Sequence, residues 1–79
     1  MAIHRFQMRG GPHDGAQLDP SVRGPNPETL FRISFDDGVV YARAGEQLHD
    51  SAGLLREIFD FDADGSLTER AQRRFTTLA

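Results

Sequence analysis

The sequence predicts an α+β fold: an antiparallel sheet of three or four strands followed by a helix-loop-helix hairpin. Three observations carry this reading. Apolar and polar residues alternate over 3–9 and again over 29–35, the period of a strand with one buried face. Asp37-Gly38 separates two β-prone runs, a strong short-range hairpin signal. From Leu48 onward the apolar spacing becomes helical. A chain of 79 residues has room for one domain. That domain, 1–79, divides into β hairpins over 1–45 and an EF-hand-like helix-loop-helix over 46–79.

Taken in order, Phe6 and Met8, with His4 before them, define the inward face of a first strand. Gly10-Gly11-Pro12-His13-Asp14-Gly15 reads as a turn, because glycine supplies positive φ and Pro12 fixes its own φ. Residues 16–19 return as a short strand. Residues 20–28 hold three of the four prolines and read as a surface loop without ladder bonding. Phe31, Ile33 and Phe35 point one way from the next strand, and 39–44 pairs with it through the Asp-Gly turn. Leu48, Leu54, Leu55, Ile58 and Phe59 predict a first helix, capped by Asp50 or Ser51. Leu67, Ala71, Phe75 and Leu78 predict a second, with Ser66 as N-cap and Glu69 completing a capping box. Both helices are expected to dock on the sheet through Leu55, Ile58, Phe59, Leu67, Phe75 and Leu78.

Composition excludes several classes. There is no cysteine, so there is no disulfide framework, zinc-thiolate site or thiol nucleophile. Apolar residues make up 38%, and no apolar run is long enough for a membrane span. The net charge of −3 argues against nucleic acid or an anionic membrane as partner. All nine basic residues are arginine, a bias that, with abundant Ala, Gly and Asp, suggests a high-GC bacterial or phage genome; a location in the cytoplasm or within a phage particle is expected. His4, His13 and His49 are dispersed, with no nucleophile or carboxylate spaced as a relay, so no enzymatic activity is expected. Arg70, Arg73 and Arg74 fall on the polar side of the last helix, where cations suit its C-terminal end.

The chemically informative segment is Asp60-Phe61-Asp62-Ala63-Asp64-Gly65-Ser66-Leu67-Thr68. Asp60, Asp62 and Asp64 alternate ahead of a glycine, a spacing that can gather carboxylate oxygens round a hard dication. The segment resembles the calcium loop of the EF-hand family. The resemblance implies ligation by the side chains of Asp60, Asp62 and Asp64, the Ser66 carbonyl and Thr68, with Gly65 at the sharp turn. It covers about 25 residues, out of step with the family at the twelfth position, where Ala71 replaces the bidentate glutamate. Glu69, at the tenth, reaches an ion only through a water or an altered loop. The resemblance therefore implies weak calcium binding, with a dissociation constant of about 10⁻³ M, or none. The same residues have a reading without an ion: acidic groups ahead of a helix favour its dipole, and Ser66 with Glu69 cap it.

The Gly10–Gly15 turn resembles one found in small bacterial and phage proteins of unknown function, and the resemblance implies no activity. The sequence thus leads to two expectations. One is a small non-catalytic protein-interaction or structural accessory module of a bacterial or phage assembly, binding a protein partner or itself through apolar residues such as Leu18, Val22 or Phe61. The other is a calcium-binding protein in which the ion orders the 60–68 loop.

Overall fold

The computed structural model describes residues 5–20 and 30–75, with the side chain of Phe75 outside the description. The expectations at Ile3, His4, the proline-rich loop, Val22 and Leu78 lie outside the described residues. The architecture is α+β: β1 (Arg5–Arg9), β2 (Gln17–Leu18), β3 (Arg32–Ser34), β4 (Val40–His49), β5 (Leu55–Phe61) and α1 (Ser66–Phe75). The strands form one five-stranded curled sheet in the order β2-β1-β5-β4-β3.

Three expectations are corrected. The sheet has five strands rather than three or four, because residues 55–61 join it. The sheet is mixed, because β1 and β5 run parallel while the other pairs are antiparallel. The helix-loop-helix is absent: residues 55–61, expected as the end of a first helix, are the central strand β5. The physical reason is burial on both faces. Leu55, Ile58 and Phe59 are all buried, and a strand covered on both sides loses the polar alternation that identifies strands in a sequence. Asp50 and Ser51 cap no helix and begin a turn instead.

That turn repeats the one joining β3 to β4. Phe35 N donates to Val39 O (2.9 Å) and Gly38 N to Phe35 O (3.0 Å). Asp50 N donates to Leu54 O (3.1 Å) and Gly53 N to Asp50 O (2.9 Å). Each is a three-residue loop ending in a left-handed glycine, Gly38 at φ 85° and Gly53 at φ 81°. The Asp50 carboxylate completes the second turn by accepting from Ala52 N (2.9 Å) and Leu54 N (3.0 Å). The Leu54 bond first, and the Arg56 charge with it, hold Asp50 below the ordinary carboxylate range.

Register places Phe6, Met8, Ile33, Tyr41 and Phe59 on one face, where they form the buried core with Leu18, Leu30, Phe35, Val39 and Phe61 packed against it. Burying a side chain of this size contributes about 2 kcal/mol. On the opposite face α1 sets Leu67 and Ala71 beside Ala42 and Asp60. The β4–β5 ladder shifts register between Arg43 and Gln47, and a buried polar group sits at the shift. Arg43 Nη2 lies 3.2 Å from Glu57 Oε1, which also accepts from Gln47 Nε2 at 2.9 Å, and both charged side chains are almost fully buried.

Candidate functional site

The three aspartates of the acidic segment go to three separate tasks. Asp60 belongs to β5, directly opposite Arg9 in the parallel ladder. Arg9 donates to it through Nε (2.6 Å) and Nη2 (3.0 Å), while Arg9 Nη1 reaches Glu46 Oε2 at 2.7 Å. Asp62 is buried and turned onto the start of α1, where it accepts from Gly65 N (3.0 Å), Leu67 N (3.3 Å), Thr68 N (2.8 Å) and Thr68 Oγ1 (2.5 Å). Burial pushes its carboxyl up, but the bonds from Thr68, Leu67 and Gly65 outweigh burial and leave it below the ordinary range. Asp64 accepts from Ser66 N at 3.0 Å, and that bond foremost lowers its carboxyl as well.

The N-terminus of α1 is therefore capped from outside by Asp62 and Asp64, satisfying donors that a helix start leaves open. The expected capping box is replaced. Glu69 N donates to Gly65 O (3.1 Å), and the Glu69 carboxylate faces outward to Arg73 Nη2 at 2.7 Å. Of the expected ligands, the structure brings together Asp62 with Thr68 and, separately, Asp64 with Ser66; Asp60 is engaged by Arg9 and Glu69 by Arg73. Among the described residues no cluster of three or more His, Asp or Glu side chains is arranged to hold a metal ion.

Beside this loop lies an open groove of about 410 Å³, lined by Arg32, Val39, Val40, Phe61, Asp62 and Thr68 among others. Phe61 is its link to the glycine turn. A Cβ on Gly11, whose φ is 64°, would stand 2.5 Å from Phe61 Cγ, so only glycine lets the turn lie this close. The turn is also stitched to β4: the buried Tyr41 hydroxyl donates to Gly10 O (2.5 Å) and accepts from His13 N (2.8 Å). The His13 ring stacks on Phe35 at a centroid distance of 4.0 Å, and its Nε2 meets Asp37 Oδ2 at 2.8 Å. The Val39 amide first, and His13 second, hold Asp37 below the ordinary carboxylate range. His13 thus has a structural neighbourhood, and His49 lies on β4 rather than at a helix start.

A third feature was not signalled by periodicity. Residues 45–49 of β4 are all exposed; Gln47, Leu48 and His49 pair with Glu57, Arg56 and Leu55 of β5, and among the described residues no strand lies on their outer side. Within this run Leu48 is 45% exposed, and Leu54 in the adjoining turn is 41% exposed. Leu18 and Phe61, expected as exposed apolar residues, are instead packed against the core. Reading Asp50-Ser51-Ala52-Gly53 as a hairpin turn, by analogy with Asp36-Asp37-Gly38, is the signal that would have placed these leucines at a tip.

Against models of known families, curated proteins and solved structures, the chain shows no match. Among the described residues no helix is long and apolar enough to cross a membrane.

Proposed function

We propose that the protein is a small non-catalytic interaction module, an accessory to a larger bacterial or phage assembly, that docks through the distal half of the β4–β5 hairpin. One observation supports this reading above the others: Gln47, Leu48 and His49 form an exposed outer strand edge in which Leu48 is 45% exposed, with Leu54, 41% exposed, in the adjoining turn. A strand edge offers a ready ladder of donors and acceptors to an extended segment, and flanking apolar side chains supply selectivity. The partner that fits is an extended stretch of another polypeptide carrying apolar residues at alternate positions.

The test combines light scattering with peptide selection from a random display library. Self-association centred on this edge, or selected peptides that shift the amides of residues 45–54, is the expected result. Either should be abolished by Leu48→Glu with Leu54→Glu. A monomer at every concentration, together with selected peptides that leave those amides unmoved, overturns the proposal.

A further inference from the structure

Between α1 and the sheet lies a second cavity, of about 160 Å³. Its apolar lining is Ala42 and Ala44 of β4 with Leu67 and Ala71 of α1. Alanines where a helix meets a sheet leave space between the layers, and a void of this size accommodates one benzene-sized group. Its charged lining includes Arg70 and Arg74, one helical turn apart on α1. Arg73, between them in the chain, pairs instead with Glu69, and among the described residues Arg70 meets no carboxylate. Arg74 lies against the β4 bulge. A Cβ on Gly45 would stand 3.0 Å from its Nη1 and 3.1 Å from its Cζ, so glycine at this position gives the guanidinium room. Asp60 is the acidic residue of the lining, and Arg9 holds both of its oxygens and Glu46 besides. Three guanidinium groups thus stand against two carboxylates here, a local cationic excess in a chain whose net charge is −3. Like charges one turn apart on a helix repel, and an anion between them relieves that repulsion.

We propose that this cavity binds a small organic carboxylate, whose apolar body fills the space beside Ala42, Ala44 and Ala71 while its carboxylate bridges Arg70 and Arg74. Guanidinium groups recognise a carboxylate through charge-assisted hydrogen bonds, and the small apolar side chains select a ligand that carries a compact hydrocarbon part. None of the lining residues belongs to the docking edge, so ligand binding here and docking there stand or fall separately.

Titration of the intact, isotope-labelled chain with benzoate tests it. Benzamide is the neutral probe of the same shape, and inorganic phosphate is the anion without an apolar body. Benzoate should shift the amides of Ala44 and Ala71 and saturate with a dissociation constant of about 10⁻³ M, the range open to so small a ligand. Benzamide and phosphate should each bind about tenfold more weakly, one lacking the charge-assisted hydrogen bond and the other the apolar contact. Arg70→Gln, a change at an exposed position, should weaken benzoate about tenfold, leave benzamide unchanged and leave the thermal melt where it was. Ala44→Leu should fill the cavity and remove the binding of both ring compounds. The site is overturned if benzoate and benzamide bind alike, if phosphate binds as tightly as benzoate, or if Arg70→Gln keeps the full benzoate affinity. Shifts that leave Ala44 and Ala71 unmoved overturn it equally.

Discussion

Single side chains carry most of the specificity here, and Asp62 carries more than its neighbours. It serves as cap for α1 and as the link between β5 and the helix, with its own N–H donating to Val40 O at 3.0 Å. Asp62→Ala should cost about 2 kcal/mol in urea unfolding, since it removes a cap and leaves the half-buried Leu67 and Thr68 amides without it. The pH dependence follows from the sign of the shift. The folded carboxyl titrates lower than the unfolded one, so its contribution is complete above the ordinary carboxylate range and is lost as pH falls through the folded value. Asp62→Asn should flatten the acid limb of the stability curve, measured as denaturation midpoint against pH. Glycine substitutions separate strain from clash. Gly15→Ala, with no atom within 4 Å of the new Cβ, should cost about 1 kcal/mol for its positive φ alone. Gly11→Ala should cost more, about 3 kcal/mol, because the methyl also strikes the Phe61 ring. Thermal melts of the two variants side by side provide the measurement.

At the scale of elements, the hairpins were legible and the central strand was not. Asp37-Gly38 marked the β3–β4 turn, and alternation through Phe6 and Met8 marked β1. The last helix was legible from Leu67 and Ala71, and Ala71 is indeed buried. β5 was hidden because Ile58 fills one face while Leu55, Glu57 and Phe59 fill the other, so its apolar residues mimic a helical stripe. Glu57 on that strand had no signal at all, since a charge at full burial is understood only once Arg43 and Gln47 are beside it. What each carboxylate of 60–68 touches depends on β1 and α1, which local spacing does not encode. Glu57→Ala should destabilise by about 3 kcal/mol in chemical denaturation, because it strands a buried guanidinium. Arg43→Met combined with Glu57→Leu should recover most of that loss.

For the whole molecule, the calcium question becomes one of competition. An ion drawing Asp60, Asp62 and Asp64 together would have to displace Arg9 from the first, the α1 amides from the second and the Ser66 amide from the third. Comparison of melting temperatures in calcium and in chelator is therefore expected to show no difference, and a rise in calcium would return the acidic segment to the role of ligand. The topology also has a consequence for how the chain reaches this state. β1 finds its parallel partner only in β5, with Phe6 opposite Glu57 and Met8 opposite Phe59. On the ribosome the first strand must wait without that neighbour until residues 55–61 have emerged. Such distant pairing is expected to make folding slower than that of a helical bundle of the same length. During that delay Phe6 and Met8 are open to whichever chaperone or nascent neighbour meets them first.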